Sequence, residues 1–194
     1  VNTHITLESL VCFQNQLSIL EVNNLTNLNR LSCEANYLSQ LNISNLTNMV
    51  NLFISNNPIT SINVNGFVNL ETFVCNNNQL SAVDLSGLVN LKNFQCKENN
   101  GISSLNLSDC DLTVLDCRSN NMSTINLIDI PNIDSLYCGG NFLPNLDFNT
   151  LPNLTFLECG FTGRNTLDVS NLVNLNYLSC PGNFFTTLDI SNLT

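Results

Sequence analysis

The chain has 194 residues, of which 43% are apolar and only 10% are charged, and its formal net charge is −10. The apolar fraction is sufficient for a continuous core in one elongated domain, whose solubility then rests on Asn, Ser and Thr. The acidic balance argues against binding to nucleic acid or to anionic membrane surfaces, because both require a basic surface. No apolar run approaches the roughly 20 residues of a membrane-spanning helix, so we expect no membrane insertion by this segment.

An apolar residue recurs every 21 residues along the chain. It begins nine units, at Leu7, Leu28, Met49, Leu70, Leu91, Leu112, Ile133, Leu154 and Leu175. A strict period of this length predicts a stack of identical units, each too small to fold alone, so residues 1–194 are one repeat domain. Val1 occupies the slot of Val22 and the chain stops at Thr194, both within a unit. We therefore expect a segment of a longer protein.

The second unit shows the pattern, with apolar Leu28, Leu31, Cys33 and Leu38 around Asn36. The alternation at Leu31 and Cys33 predicts a short strand, and successive copies would pair in parallel about 4.8 Å apart. The Asn side chain carries donors and an acceptor, so a stacked Asn column satisfies backbone groups that the bend leaves unpaired. The second half of each unit is too short and too rich in Asn, Ser and Thr for a regular helix, which predicts extended or 3₁₀ structure.

These repeats resemble the bacterial leucine-rich repeat family, most closely its internalin-like and Bacteroidetes-type 21-residue repeats. The family signature LxxLxLxxNxL covers essentially the whole chain, with Cys usually in the third apolar slot. The resemblance implies the α/β class with mostly β content, as a right-handed solenoid or horseshoe. Its parallel β-sheet would line the concave face and its convex face would be extended or 3₁₀, with little or no regular helix.

Two units depart from the pattern. In the fifth, one extra residue within Asn99–Gly101 precedes Ile102, which predicts a local bulge. In the eighth, Thr162 replaces the Asn and Arg164 replaces a core leucine. The arginine predicts that the chain leaves the stack there and forms a loop.

Eight of the nine cysteines occupy one column: Cys12, Cys33, Cys75, Cys96, Cys117, Cys138, Cys159 and Cys180. Ile54 fills the same slot in the third unit, which favours small buried thiols, with a disulfide or a metal as alternatives. No CxxC pair occurs and His4 is the only histidine, so we expect neither metal nor cofactor. Cys110 lies off the column, and we expect it to be the more reactive thiol.

The concave face should carry the residues on either side of each buried strand residue. The candidate ligand-binding set there is Lys97, Asp116, Arg118, Tyr137, Phe156, Glu158, Phe161 and Tyr177. Register places Tyr137, Phe156 and Tyr177 side by side, and exposed aromatic clusters suit protein hot spots and glycan stacking. Two simpler explanations are open: the rings stabilise the sheet through cross-strand pairs, and the charged residues pair with one another.

These observations favour a non-catalytic module that binds another protein on its concave face. The alternatives are a carbohydrate-binding module, using the same rings with Glu158, Ser135 and Ser179, and a spacer without a ligand. An enzyme is disfavoured, because no phosphate-binding Gly loop occurs and the single histidine leaves no base for a Ser or Cys nucleophile. The resemblance implies an adhesion role in a secreted or cell-surface bacterial protein, with a protein or glycan partner on a cell surface. Oligomeric state is left open.

Overall fold

A computed structural model describes residues 6–193, in which nine three-residue strands form one parallel sheet. The strands are β1 (Ser9–Val11), β2 (Arg30–Ser32), β3 (Asn51–Phe53), β4 (Thr72–Val74), β5 (Asn93–Gln95), β6 (Val114–Asp116), β7 (Ser135–Tyr137), β8 (Phe156–Glu158) and β9 (Tyr177–Ser179). Each strand pairs only with its neighbours in chain order, in a register of 21 residues, as in Leu31 opposite Leu52. The predicted leucine-rich repeat solenoid is confirmed. Val1, His4 and Thr194 lie outside the described residues.

Each three-residue strand directs its central apolar residue toward the core. In β3 and β7 the central leucines, Leu52 and Leu136, are fully buried, while both flanking residues are partly exposed. This is the alternation that places one side of a strand in the core and the other on the concave surface. Behind the sheet, the large rings of Phe67 and Phe148 fill the space between the strands and the outer face.

The asparagine column forms a hydrogen-bonded ladder along the stack. Asn78 is typical: its Nδ2 donates to the carbonyls of Ile54 and Cys75 at 3.2 and 3.0 Å, and its Oδ1 accepts from the backbone N–H of Ile59 at 3.2 Å. Each amide therefore joins its own unit to the preceding one, which confirms the role predicted for this residue. The residue before it has a positive φ in every unit, from Gln14 to Gly182.

The outer half of each unit is extended or turned. One 3₁₀ helix, Leu127–Asp129, occurs within residues 6–193, and its Leu127 is buried. The expectation of extended and 3₁₀ structure on this face is confirmed. No helix in this part of the chain has the length and apolar character needed to cross a membrane.

The fifth unit accommodates its additional residue locally. Asn100 adopts φ +46°, and the N–H of Gly101 turns back to the carbonyl of Asn99. That N–H consequently does not reach the next asparagine, Asn120, whose buried Oδ1 has no hydrogen-bond partner among the described residues. The Nδ2 of Asn120 still donates to Cys96 O and Cys117 O, so the ladder continues past the inserted residue.

The eighth unit does not leave the stack, so the loop predicted at Arg164 is wrong. Arg164 is buried at 6% exposure, with its guanidinium 4.9 Å from the ring centroid of Phe148. Its Nη1 donates to Leu143 O at 3.1 Å and its Nε donates to Thr166 O at 3.3 Å. A buried guanidinium is tolerated here because backbone carbonyls supply its acceptors.

Six of the eight cysteines in the column lie in the core, Cys12 and Cys180 pack against it, and every thiol in the column is free. Burial raises the pKa of Cys33 and of Cys159 to about 12, and raises that of Cys96 further. Cys110 is also buried, at 7% exposure, and burial raises its pKa to about 11. The expectation that Cys110 is the more reactive thiol is wrong, because a thiol needs access to react and Cys12 and Cys180 are more exposed than Cys110.

Candidate functional site on the concave face

Three aromatic rings form a continuous row across β7, β8 and β9. The centroids of Tyr137 and Phe156 are 4.7 Å apart with the planes tilted by 34°, and those of Phe156 and Tyr177 are 4.1 Å apart and nearly parallel. Strand order places Phe156 between the other two, so it has a ring neighbour on each side. All three rings keep exposed surface, and Tyr177 is 48% exposed. The side-by-side placement predicted from register is present.

A network of three charged side chains lies beside this row. Arg118 donates two hydrogen bonds to Asp116, at 2.9 and 2.6 Å, and a third to Glu158 at 2.6 Å. Its guanidinium lies 4.8 Å from the ring centroid of Tyr137. The hydrogen bonds to Asp116 raise the pKa of Arg118 above its usual value. Three candidate residues, Asp116, Arg118 and Glu158, therefore pair with one another, as the second of the two simpler explanations predicts.

Gly139 explains how Arg118 spans two units to reach Glu158. Gly139 occupies the corresponding position in the intervening unit, and a Cβ there would lie 3.2 Å from Glu158 Oε1 and 2.9 Å from Gly160 O. A larger residue would press on the carboxylate that receives the guanidinium. Glu158 Oε1 accepts no hydrogen bond within residues 6–193, and it faces this depression in the sheet surface.

The remaining two candidates lie apart from the row. Lys97 pairs with Glu98 at 2.9 Å on a solvated part of the surface and does not join the Arg118 network. Phe161 lies in the turn after β8, where its ring covers the backbone of Gly182 rather than contacting the three-ring row. The structure therefore brings together six of the eight candidates.

Two further surface features were not found from the sequence. On β2 and β3, Arg30 lies 4.8 Å from the ring centroid of Phe53, a concave-face ring that is far along the sheet from the three-ring row. In the turns after the strands, Phe142 and Phe184 each follow a ladder asparagine and are largely exposed. The sequence could have indicated these two rings, because most other units have Gln, Pro, Asn or Gly at the position that follows the ladder residue.

Within residues 6–193 no group of three His, Cys, Asp or Glu side chains is arranged to hold a metal ion. The chemical character of the concave site is therefore given by its rings, one arginine and two carboxylates. With Arg118 positive and both acids negative, the cluster carries one excess negative charge. Such a surface makes contacts through packing, hydrogen bonding and charge.

No family model matches the chain, and no curated protein matches it. Among solved structures, it is similar to the functional domain of InlJ from Listeria monocytogenes, which includes a cysteine ladder. The TM-score is 0.92 and the identity 31%, over 97% of this chain and 43% of that one. Like that domain, this chain has a column of stacked cysteines.

Two more solved structures share the fold at lower identity. Internalin C2 from Listeria monocytogenes gives a TM-score of 0.67 with 24% identity, over 94% of this chain and 80% of that one. A leucine-rich repeat protein from Leptospira interrogans gives 0.64 with 20% identity, over 97% of this chain and 65% of that one. The chain thus spans less than half the length of the InlJ domain and about two thirds of the Leptospira protein.

Proposed function

The chain is a leucine-rich repeat protein, and from this premise we propose that it is a non-catalytic module that recognises another protein through its concave face. The observation that carries the proposal is the row formed by Tyr137, Phe156 and Tyr177. Clustered, partly exposed aromatics are typical of the few residues that dominate binding energy at protein interfaces. The row is held by mutual stacking before a partner arrives, so little side-chain entropy is lost on binding.

The geometry favours protein over glycan at this row. Phe156 is covered on both sides by its neighbours, and the Arg118 guanidinium lies over Tyr137. A sugar stacks on a free ring face, whereas the inner rings of this row direct their edges toward the concave solvent. Ring edges pack well against the aliphatic and aromatic side chains of a protein partner. The glycan alternative therefore has less support at these residues.

Electrostatics indicate which partner residues would meet this surface. Arg118 donates three of its five N–H groups to Asp116 and Glu158, so its positive charge is largely neutralised within the cluster. Glu158 Oε1 retains its acceptor capacity, and the chain has a net charge of −10. A partner surface with a basic residue beside an apolar one complements this arrangement. By similarity to the Listeria protein, the proposed setting is a secreted or surface-exposed bacterial protein with an adhesion role.

The test is a binding screen of the purified chain against immobilised ectodomains of bacterial and host cell-surface proteins. The variant Tyr137→Ala/Phe156→Ala/Tyr177→Ala should bind the identified partner at least about tenfold more weakly, because it lacks the anchoring rings. Circular dichroism and urea unfolding establish that the variant is folded.

Phe53→Ala is the matched control, since it removes a concave-face ring outside the row. It should bind like the wild type. Unchanged affinity of the folded triple variant would refute the assignment of the row. A folded wild-type chain that binds none of the ectodomains would favour the spacer alternative.

A further inference from the structure

A second aromatic surface lies outside the concave face, along the turns that follow β7, β8 and β9. Phe142, Phe161 and Phe184 are 66%, 67% and 68% exposed. These three rings, hereafter the turn-edge rings, belong to three consecutive units. A single exposed ring is ordinary on a protein surface, whereas three in consecutive units along one edge point to a surface that is used.

Two of the three turn-edge rings, Phe142 and Phe161, lie against glycines. A Cβ at Gly163 would come within 2.9 Å of the Phe142 ring, and a Cβ at Gly182 would overlap with the Phe161 ring. The two rings therefore lie directly against backbone, a position that only glycine permits. This arrangement holds Phe142 and Phe161 as separate platforms, unlike the mutually stacked row on the concave face.

Phe161 is also in a strained conformation. Its φ of +55° lies in the left-handed region, which costs a non-glycine residue about 1–2 kcal/mol. The same position is glycine in the two adjacent units, at Gly140 and Gly182. Six other non-glycine residues, from Gln14 to Ser119, hold the same conformation in their own units, so the left-handed backbone belongs to the repeat and Phe161 is a bulky ring accommodated in it.

The surroundings of the turn-edge rings are polar but uncharged. In segments 140–145, 161–166 and 182–187 the only charged residue is Arg164, which is buried. Asn145, Asn165 and Thr186 are exposed, and their side chains make no hydrogen bond within residues 6–193. Amide and hydroxyl groups both donate and accept, so they match a ligand that has hydroxyl groups and no net charge.

Phe142 also forms one wall of a groove. This groove has a volume of about 500 Å³ and lies between the 3₁₀ helix Leu127–Asp129 and the turn at Pro144. Its lining combines apolar side chains such as Ile125 and Leu146 with the polar groups of Thr124 and Asn145. Phe142 thus has a concave, amphipathic surface next to it.

We propose that the turn-edge rings bind a neutral oligosaccharide. A pyranose has an apolar face of C–H groups, which would stack on the rings, and a rim of hydroxyls, which would bond to the neighbouring amides and hydroxyls. Phe142 and Phe184 are two units apart, so at the usual strand spacing they are separated by roughly 10 Å, about the length of a disaccharide. A charged polymer lacks a complementary charge at this edge.

Isothermal titration with soluble hexasaccharides of glucose, mannose and N-acetylglucosamine tests the proposal. We expect the wild-type chain to bind at least one of them. Phe142→Ser/Phe161→Gly/Phe184→Ser should reduce that affinity about tenfold or more, while Tyr137→Ala/Phe156→Ala/Tyr177→Ala should leave it unchanged. The outcome is thus independent of the function proposed for the concave row.

Folding of the edge variant is checked by urea unfolding, with Phe161→Gly and Phe161→Ala compared separately. Both changes remove the ring, but only glycine relieves the positive φ, so Phe161→Gly should be the more stable. The proposal is overturned if the wild type binds none of the hexasaccharides, or if the folded edge variant binds as the wild type does. Loss of saccharide binding in the concave-row variant alone would also overturn it. Loss of a protein partner by the edge variant, without any saccharide binding, would instead identify a protein-binding surface.

Discussion

At the scale of single residues, the asparagine ladder links each unit to the one before it. A ladder amide has one acceptor and two donors, and Asn78 uses both functions inside the stack. Asn120 uses only its donors, because the inserted residue near Gly101 removes the N–H that its Oδ1 would accept from. The chain therefore contains a natural comparison between a complete and an incomplete ladder position.

Asn78→Ala should destabilise the chain by about 2–3 kcal/mol, because it leaves the buried backbone N–H of Ile59 without a partner and removes one of the two amide donors to each of the Ile54 and Cys75 carbonyls. Asn120→Ala should cost about 1 kcal/mol less, since the Oδ1 of Asn120 contributes no hydrogen bond in the folded chain. Urea unfolding followed by circular dichroism measures both. An equal or larger loss for Asn120→Ala would contradict this account of the fifth unit.

Arg164 shows where prediction from single residues fails. An arginine in a column of leucines predicts that the chain leaves the core there, because an isolated buried charge is strongly unfavourable. The sequence does not reveal that the carbonyls of Leu143 and Thr166 are positioned to accept from it. Those acceptors depend on the local backbone path, in which Gly163 adopts φ +75°.

At the scale of strands and turns, the aromatic row was predictable and the turn-edge rings were not. A period of 21 residues combined with strand alternation fixes which side chains are neighbours on the sheet, so Phe156 and Tyr177 had to lie together. The turn positions recur with the same period, but strand alternation does not apply to them, because the direction of their side chains depends on φ and ψ. Phe161 follows the strand, at the position that has a positive φ in every unit, and its ring lies against Gly182 at the edge rather than on the concave face where it was expected.

The outer turns contain a second natural comparison. Asp84, Asp168 and Asp189 each accept a hydrogen bond from the backbone N–H two residues later, and Asn42 and Asn63 do the same in other units. These bonds, together with those from the serine hydroxyls, lower the pKa of all three aspartates below 3.8. Aspartate and asparagine thus accept the same backbone hydrogen bond in this turn, but only the aspartate side chain changes its charge with pH.

The pKa of each of these aspartates is lower in the folded chain than in the unfolded chain, where it is near 3.8. The turns therefore stabilise the folded chain at pH values above 3.8, and this stabilisation is lost as the pH falls through the folded-state pKa. Asp84→Asn/Asp168→Asn/Asp189→Asn should therefore lose less stability than the wild type between pH 7 and pH 3. Urea midpoints at the two pH values measure this.

The control for charge number is Glu8→Gln/Glu21→Gln/Glu71→Gln, which removes three exposed carboxylates outside these turns. It should keep the acid-dependent loss caused by the aspartate turns. If both triple variants respond to pH identically, net charge rather than turn bonding determines the acid response.

At the scale of the whole molecule, every strand contacts only the strands before and after it. Stability in such a stack is close to a sum of unit and interface contributions, so local opening should begin in the outer units and extend inward. The cysteine column places one thiol in eight of the nine units and reports this opening directly. Cys12 and Cys180 are partly exposed, whereas Cys96 and Cys117 are buried.

Pulsed alkylation with iodoacetamide at pH 8, read out by peptide mass spectrometry, should therefore label Cys12 and Cys180 first and Cys96 and Cys117 last. Burial raises the pKa of the inner thiols, so they react only after local opening exposes them to water. Cys33 and Cys159, one unit inside the outer strands, should react at intermediate rates if opening proceeds unit by unit. Equal rates at all inner positions would instead show that the stack opens in a single cooperative step, and labelling of Cys96 as fast as Cys12 would contradict the buried column itself.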